Sequence, residues 1–285
     1  MNPFIIPPSK TVTAVGMGVF DGIHRGHRHV LEDCDTLLTF DPHPQTFFNP
    51  TCDLQYLTPL DERQSLFDHV VALRFDDYLA HLEPLDFLNL IKCQLSPQKI
   101  VIGYDFKFGK QRQGDCDTLT VWGKLEGIDV DCKDPYLDDG VPVKSAQIRC
   151  LIKQGEMKTA TQLLGRAYQL IGIVVSGDKR GRKLGYPTAN LQMPSEKLIP
   201  REGVYHGSVL ISEVHYACAL SIGSQPTFGD NSPVIEAHII GFNSDLYGQK
   251  LTINIHSFIR EQRVFNSQVE LKKQIEMDIK RIINV

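Results

Sequence analysis

The sequence predicts an α/β domain with a doubly wound sheet, followed by an all-β domain that forms a small antiparallel barrel. Apolar strands alternate with amphipathic helices over the first half, a pattern typical of a sheet covered by helices on both faces. Short strands with regular turns fill most of the second half. Gly165 follows the helix expected at residues 156–164, and a glycine in this position commonly ends a helix. We therefore predict domains at residues 1–164 and 165–285, since a chain of 285 residues can form two cores.

Composition argues against several classes of protein. The hydrophobic fraction of 42% and the charged fraction of 22% are ordinary for a globular chain, and the net charge of −4 disfavours nucleic acid as the main partner. We find no long apolar run and no signal-peptide pattern, so we expect a cytoplasmic protein with no membrane partner. Seven scattered cysteines without a C-x-x-C pair indicate neither a disulfide framework nor a zinc site. Oligomeric state stays open.

Hydrophobic periodicity locates the main elements. In the first half we expect strands at residues 11–17, 36–41, 70–75 and 99–103, and helices at 61–70, 84–95, 145–153 and 156–164. Leu88, Ile91 and Leu95 repeat at helical spacing, which indicates a helix face in the core. In the second half we expect strands from about residue 203 and at 217–222, 234–240 and 250–255. Ser267 and Glu270 form a capping box that opens a last helix.

A glycine-rich turn after the first strand has the features of a phosphate site. It leads from the strand to a helix that starts near His27, and helix starts present N–H groups to anions. His24 and His27 are placed to donate hydrogen bonds to a triphosphate, although two solvated loop histidines are the plainer interpretation. The expected phosphate-binding residues of this turn are Gly18, Phe20, Asp21, Gly22 and Gly26.

A second glycine-rich stretch, at residues 177–191, follows an apolar strand in the second domain. Its three glycines allow backbone conformations closed to other residues, and its basic side chains add positive charge for an anion. The expected phosphate-binding residues here are Gly177, Lys179, Gly181, Lys183 and Gly185. The alternative is a basic, glycine-rich hairpin loop without a ligand.

Two oxygen-bearing side chains end this stretch. Pro187 favours an extended chain around it, so Thr188 and Asn190 lie on one face of a strand. A hydroxyl and an amide oxygen suit a Mg²⁺ ion that carries phosphates, although both side chains could simply face water.

One strand carries a candidate general base. The alternation of residues 234–240 places Glu236 and His238 on the same strand face. A carboxylate can take a proton from a substrate hydroxyl within hydrogen-bond reach, whereas a solvated strand carboxylate is the commoner case. We expect His238 to be structural.

Three motifs resemble those of one enzyme family. Residues 177–191 read G-D-K-R-G-R-K-L-G-Y-P-T-A-N-L, which resembles the signature of riboflavin kinases. Residues 18–27 resemble the H-x-G-H motif of nucleotidyltransferases, and residues 103–115 resemble a loop written G-x-D-F-x-F-G-x-x-x-x-G-D. From near residue 12 almost to the C-terminus, the chain resembles the bifunctional bacterial riboflavin kinase/FAD synthetase family.

This resemblance implies a Rossmann-like nucleotidyltransferase domain and a riboflavin kinase barrel, with ATP, riboflavin, FMN and FAD as substrates and products. The barrel would make FMN from riboflavin and ATP, and the first domain would adenylylate FMN to FAD. Glu236 is then the general base, and Thr188 and Asn190 hold Mg²⁺ with ATP. His24 and His27 steady the charge that develops on the α-phosphate.

The resemblance also implies flavin contacts, each with a plainer alternative. The implied residues are Asp41, Asp105, Phe106, Phe228 and Arg260. Asp41 could belong to a proline-shaped loop, and Phe106 could anchor its loop in the core. Arg260 could be a surface arginine paired with Glu261 or Asp245.

Two departures from the family pattern affect the first domain. The helix after His27 can have only about two turns before the next strand begins near residue 36. Residues 143–149 retain Ser145 and Arg149 as expected phosphate ligands, but Lys144, Ala146 and Gln147 replace the residues of the family's Ser-Ser-Thr-Arg-Ile-Arg segment. Two alternatives therefore stay open: a riboflavin kinase with a degenerate N-terminal half, and a non-enzymatic flavin- or nucleotide-binding module.

Overall fold

A computed structural model describes residues 3–177, 181, 184–224 and 233–284 of the chain. The chain divides into two compact units, Met1–Ser145 and Ala146–Val285. Lys179, Lys183 and Phe228 lie outside the described residues. Among the described residues, no helix combines the length and the apolar character needed to cross a membrane.

The first unit is built on a mostly parallel sheet. Its strands are β1 (Phe4–Ile6), β2 (Ala14–Met17), β3 (Thr36–Asp41), β4 (Val70–Arg74), β5 (Lys99–Gly103) and β6 (Asp129–Lys133), and a two-stranded hairpin follows with β7 (Leu137–Asp138) and β8 (Val141–Pro142). The spatial order is β1-β4-β3-β2-β5-β6, with β1 antiparallel to β4 and the other pairs parallel. The helices are α1 (Arg25–Leu31), α2 (Pro44–Phe48), α3 (Leu60–Leu66), α4 (Asp77–Ala80), α5 (Pro84–Leu95) and α6 (Cys116–Glu126).

Alternate residues of the central strands enter two separate cores. Leu38 and Ile100 join one cluster with residues of α5 and α6, whereas Leu37 and Val101 join another with residues of α1 and α3. Because successive strand residues point to opposite sheet faces, both faces are covered by helices. The predicted doubly wound α/β architecture is therefore confirmed.

The helix α6 holds the tryptophan of the chain in the first of these clusters. Trp122 is 4% exposed, and its indole N–H donates to Asn89 Oδ1 on α5 at 3.2 Å. This bond satisfies the polar atom of a side chain that is otherwise packed among apolar groups.

The expectation about cysteines was wrong for one pair. Cys116, at the start of α6, is bonded to Cys132 on β6, with Cα atoms 6.2 Å apart. The chain runs along α6 and returns along β6, and the two elements pack together, so residues 16 apart in sequence become neighbours. Spacing along the chain could not reveal this contact.

The second unit contains a closed antiparallel barrel, as predicted. Its strands are β9 (Tyr168–Val175), β10 (Ala189–Gln192), β11 (Gly203–Ile211), β12 (Val214–Ser224), β13 (Pro233–Ile239) and β14 (Lys250–Arg260), in the order β10-β13-β12-β11-β14-β9. Fully buried side chains such as Val209, Leu220 and Ile253 alternate with polar residues, so the barrel interior is apolar and its outer face carries the polar groups.

The helices that the structure delimits from Ser145 onward are α7 (Ser145–Gln154), α8 (Met157–Leu164) and α9 (Gln268–Ile283), among the described residues. Gly165 ends α8 in a left-handed conformation with φ 72°, which confirms its expected role as a helix stop. The helix α8 packs on β9 and β14, and α9 packs on β12. The compact units divide at Ser145, whereas the functional boundary at residue 165 stays a prediction.

Two histidines on the outer barrel face are held close together. The ring centroids of His206 and His256 are 5.0 Å apart, and His256 Nε2 lies 2.8 Å from Ser208 Oγ. Burial lowers the pKa of both imidazoles, and the neighbouring His256 lowers the pKa of His206 further. The folded barrel therefore favours both rings in their neutral form.

We predict that this pair makes stability fall in mild acid. Their pKa values are depressed from 6.5 on folding, so the unfolded chain binds more protons as the pH drops below about 6.5. The stability that the neutral rings contribute is present above this pH and is lost as the pH falls through their folded pKa. His256→Gln should reduce the loss of stability between about pH 7.5 and pH 5.5, measured by urea unfolding with circular dichroism.

The matched control is His215→Gln, at an exposed position on β12. The pKa of His69 in the first unit is also lowered by burial, but its contribution is common to the wild type and both variants. If His256→Gln and the control lose stability equally on acidification, the histidine pair is not the cause.

Candidate functional site

The barrel places two predicted site residues side by side. Asn190 on β10 lies directly opposite Glu236 on β13, and Glu236 lies opposite Ser221 on β12. Residues opposite each other in antiparallel strands share a sheet face, with Cβ atoms about 5 Å apart. An amide, a carboxylate and a hydroxyl therefore form one row across the outer face of the barrel, which we call the Asn190–Glu236–Ser221 row.

Thr188 joins this row through the chain that leads into β10. Its neighbour Pro187 has a carbonyl oxygen 2.8 Å from His238 Nδ1, and the ring of Tyr186 lies edge-on to the imidazole of His238. The interpretation of His238 as a structural residue agrees with these contacts. The imidazole fixes the segment immediately before the hydroxyl of Thr188.

The three glycines of residues 177–191 that were predicted to bind phosphate have different structural roles. Of the three, Gly185 has the left-handed φ of 90°, whereas an added Cβ at Gly177 would lie 2.3 Å from Asn190 Nδ2. A Cβ at Gly181 would lie 2.3 Å from the carbonyl oxygen of Tyr186. The expectation that all three supply unusual backbone angles is thus corrected, because two of them allow close approach of other atoms instead.

A pocket opens beside Thr188. Its lining combines apolar and polar side chains, which suits a ligand with an apolar part and a polar part. The lining residues are Val174, Pro187, Thr188, Ala189, Ala237, Ile239, Phe242, Asn243, Ser244, Asp245, Leu246 and Tyr247. The pocket thus continues directly from the oxygen-bearing side chain at the start of β10.

Arg260 is held by an acid that the sequence did not suggest. At the end of β14, its Nε and Nη2 donate to Asp278 Oδ2 at 2.9 and 2.8 Å, and Nη1 donates to the carbonyl oxygen of Glu261. The predicted acidic partners were Glu261 and Asp245. Asp278 occupies the position four residues before the buried Ile282 on α9, which is the signal that could have identified it as an inward-facing carboxylate.

The segment after β14 is also tied to the Asn190–Glu236–Ser221 row. Gln262 Nε2 donates to Ser221 Oγ at 2.9 Å and to the carbonyl oxygen of Ile222 at 3.1 Å. Sequence reasoning missed both Gln262 and Ser221. These bonds fix the chain that leaves β14 beside the carboxylate of Glu236.

The first unit gathers its predicted residues after β2. The rings of His24 and His27 are stacked with centroids 3.6 Å apart, and Phe20 lies edge-on to His27 at 5.3 Å. His24 is buried, and its Nδ1 accepts a hydrogen bond from the backbone N–H of His27, which caps α1. The helix has 7 residues, so the expectation of a short helix is confirmed.

The turn that carries these histidines adopts uncommon backbone angles. Phe20 and Ile23 have φ values of 52° and 36°, and Gly22 has φ 100°. Positive φ is unfavourable for bulky residues and persists where surrounding contacts impose it. Here the Asp21 carboxylate accepts hydrogen bonds from the backbone N–H groups of Leu57 and Thr58 at 3.1 and 2.9 Å. The buried carboxylate of Asp21 thus helps to hold the turn.

A fully buried arginine supports the same turn. Arg63 Nε donates to the carbonyl oxygen of Thr58 at 3.0 Å, and its Nη1 donates to Thr39 Oγ1 at 2.8 Å. The hydroxyl of Thr39 donates in turn to the carbonyl oxygen of Val19. Sequence reasoning missed Arg63, since an arginine in an exposed-looking helix start gives no signal of burial.

The segment at 143–145 meets this turn. Ser145 Oγ donates to the carbonyl oxygen of Asp21 at 2.8 Å, and a Cβ added at Gly26 would lie 3.2 Å from the carbonyl oxygen of Val143. Lys144 Nζ lies 3.8 Å from Asp105 Oδ2. These residues collect where β2 and β5 end, at the point where the connections of a doubly wound sheet turn in opposite directions.

The remaining predicted residues lie on separate elements. Asp41 ends β3, and the peptide bond that follows it is cis. Gly18 begins the turn after β2, and Arg149 lies within α7. Phe106 packs against the core and stacks on Phe108 at 6.0 Å, which agrees with its alternative interpretation as a loop anchor. The flavin contacts of Asp41 and Phe106 and the phosphate contacts of Gly18 and Arg149 stay predictions.

In the part of the chain that the structure describes, we find no group of three or more His, Cys, Asp or Glu side chains arranged to hold a metal ion.

We predict that Asp278→Ala destabilises the barrel unit by about 3 kcal/mol, because it leaves the guanidinium of Arg260 buried without its carboxylate. The side chains of Arg260 and Asp278 are only 13% and 7% exposed, so water does not readily replace the lost partner. Urea unfolding of the full chain measures the loss. Glu276→Ala, which removes an exposed acid from the same helix, is the control and should cost less than about 1 kcal/mol. Equal losses in the two variants would contradict the assignment.

Each half of the chain matches a different family of known proteins. The family described as FAD synthetase matches residues 6–147, and the family described as riboflavin kinase matches residues 164–285.

Whole-length relatives carry both descriptions in one chain. A bifunctional riboflavin kinase/FMN adenylyltransferase of Listeria monocytogenes is 34% identical over 93% of this chain and 89% of its own length. Proteins of the same description are 30% identical in Bacillus subtilis and 33% identical in Pseudomonas fluorescens. The Bacillus subtilis alignment covers 96% of this chain and 92% of the relative, and the Pseudomonas fluorescens alignment covers 92% and 89%.

A solved structure shares the fold over nearly the whole chain. The crystal structure titled macrolide-efflux protein from Streptococcus pneumoniae has a TM-score of 0.88 and 27% identity, and the match covers 97% of this chain and 95% of that one.

Proposed function

The chain belongs to the family of bifunctional riboflavin kinases/FMN adenylyltransferases, and we propose how its two units divide the two reactions. In this family one chain phosphorylates riboflavin to FMN and transfers an adenylyl group to FMN to give FAD. We assign the kinase reaction to the barrel and the adenylyl transfer to the first unit. We place the enzyme in the cytoplasm, where its substrate ATP is supplied.

The observation that carries the kinase assignment is the register that sets Glu236 opposite Asn190. Glu236 acts as the general base that takes the proton of the riboflavin 5′-hydroxyl while the oxygen attacks the γ-phosphorus of ATP. The bond to the β-phosphate oxygen breaks, and ADP leaves with the electron pair. Ser221, bonded to Gln262, lies on the other side of the carboxylate and limits where that carboxylate can move.

The pocket beside Thr188 receives the adenosine of ATP in this proposal. Apolar side chains such as Phe242 and Leu246 suit the purine ring, and polar lining residues such as Asn243 and Ser244 suit the ribose hydroxyls. An adenosine seated there directs its phosphates toward Thr188 and Asn190, where the row reaches Glu236. Gly177 keeps the backbone close to the Asn190 amide, which leaves no room for a side chain between them.

ATP-dependent reactions of this kind use a divalent metal with the nucleotide, and we propose that the metal here is Mg²⁺. The hydroxyl of Thr188 and the amide oxygen of Asn190 are the hard oxygen donors that Mg²⁺ prefers, in a small number that leaves positions for phosphates and water. The ion, when bound, neutralises phosphate charge. The protein side chains fix the orientation of the phosphates relative to Glu236.

In the first unit, His24 and His27 stabilise the charge that develops during adenylyl transfer. An oxygen of the FMN phosphate attacks the α-phosphorus of ATP, the bond to the β-phosphate breaks, and pyrophosphate leaves with the electron pair. Stacking on His24 and edge contact with Phe20 restrict the rotation of the His27 ring, so its ring nitrogens are oriented before the substrate arrives.

We predict that Glu236→Gln lowers the kcat of FMN formation by about 10²- to 10⁴-fold, since an amide cannot take the proton. The same variant should convert supplied FMN to FAD at the wild-type rate. His27→Ala is the reciprocal variant, which should lose FAD formation and keep FMN formation. Chromatographic separation of riboflavin, FMN and FAD over time measures both reactions. The role of Glu236 as the base fails if Glu236→Gln makes FMN at the wild-type rate, and the adenylyltransferase assignment fails if the wild type stops at FMN.

We predict that Asn190→Ala raises the Mg²⁺ concentration needed for half-maximal FMN formation by about tenfold, because one charge-assisted oxygen ligand is lost. Titration of FMN formation with Mg²⁺ gives this value, and FAD formation from FMN serves as the internal reference. Asn254→Ala, on the outer face of β14, is the matched control. An unchanged Mg²⁺ requirement in Asn190→Ala would remove this residue from the metal site.

A further inference from the structure

Lys144 is anchored through its neighbours at the edge where the first unit gathers its predicted residues. On one side, the carbonyl oxygen of Val143 lies against Gly26; on the other, Ser145 Oγ is bonded to the carbonyl oxygen of Asp21. The backbone at Lys144 is thus held against the turn that carries His24 and His27. Its side chain projects from a fixed origin beside that turn.

The side chain of Lys144 makes a contact that is easily exchanged. Its Nζ lies 3.8 Å from Asp105 Oδ2, and the two side chains are 58% and 62% exposed. An ion pair at this distance and exposure is weak, because water screens it and both side chains must be ordered to form it. A ligand with more negative charge than one carboxylate can therefore draw the ammonium group away from Asp105.

Arg25 and Arg63 also lie near the turn, but both already have close partners. Arg25 is bonded to Asp138 at 3.1 Å and lies over the ring of Tyr136. Arg63 is fully buried beneath the turn, where it donates to Thr58 and Thr39. Lys144, in contrast, presents its charge at the surface, from a backbone position held against the turn that carries the stacked histidines. A polyphosphate that reaches His24 and His27 meets this ammonium group at the same edge.

We propose that Lys144 is a phosphate-binding residue of the adenylyl transfer. Its ammonium group moves from Asp105 to the part of the nucleotide that departs as pyrophosphate. In that reaction the bond between the α-phosphorus and the bridging oxygen breaks, and its electron pair goes to pyrophosphate. An ammonium point charge favours this developing charge, and it needs no fixed fork geometry to do so. The inference rests on the proposed adenylyltransferase function of the first unit.

The experiment uses the full chain in the forward and reverse directions. Lys144→Ala should raise the KM for pyrophosphate in the conversion of FAD to FMN and ATP by about 10- to 100-fold, the loss expected for a charge-assisted contact. In the forward direction, kcat/KM for ATP in FAD formation should fall by a similar factor. Lys144→Arg should stay within about threefold of the wild type, because it keeps the charge. FMN formation by the same preparations should be unchanged, which shows that the chain is folded.

The matched control is Lys92→Ala, which removes another partly exposed, ion-paired lysine from the first unit, where Lys92 pairs with Glu126. It should leave both directions unchanged. Calorimetric binding of inorganic pyrophosphate to the full chain gives a readout independent of turnover and should be weaker for Lys144→Ala than for Lys92→Ala.

The outcomes distinguish a failure of the proposed Lys144 role from a failure of the proposed adenylyltransferase function. If the wild type makes FAD and Lys144→Ala matches it in the pyrophosphate KM and in pyrophosphate binding, the role of Lys144 is overturned while the adenylyltransferase assignment stands. If the wild type makes no FAD, that assignment fails, and pyrophosphate binding alone decides on Lys144. A loss in Lys92→Ala equal to that in Lys144→Ala would also overturn the proposal, since it would reflect general charge.

Discussion

The register of three antiparallel strands is the constraint on which the barrel site depends. Asn190, Glu236 and Ser221 meet because β10, β13 and β12 pair with these residues in line. Side chains alternate between the two faces of a strand, so a slip of one residue in β13 would turn Glu236 into the apolar interior. The buried side chains on either side of Glu236, Ile235 and Ala237, oppose that slip. The packing of the barrel core thus determines where the carboxylate of Glu236 points.

The first unit positions its predicted site residues by buried hydrogen bonds rather than by strand register. Most of its predicted site residues lie on turns and loops, and polar groups beneath the surface hold these loops in place. Asp21 and Arg63 are buried ions whose hydrogen bonds join the turn after β2 to Thr58 and to Thr39 of β3. Buried ions are costly unless they are hydrogen-bonded, so such bonds specify one arrangement of the turn rather than many.

Sequence patterns predicted local features well and long-range contacts poorly. The strand Thr36–Asp41, the helix Pro84–Leu95 and the stop at Gly165 were correctly placed, because each depends on periodicity or on a nearby capping residue. The Cys116–Cys132 pair, the buried Arg63 and the partnership of Asp278 with Arg260 were missed, since each joins residues through the fold. The neighbourhood of Asn190 and Glu236 was implied only by resemblance, because the register of two distant strands is not encoded near either residue.

The position of Trp122 makes the two units optically distinguishable. The sequence contains one tryptophan, and its indole is buried in the first unit beside α5. Fluorescence excited in the indole band therefore originates in that unit alone, while the barrel contributes only tyrosine emission. A spectroscopist can follow unfolding of the first unit through this intrinsic reporter and record the whole chain by circular dichroism, so the order in which the two cores melt is accessible without any label.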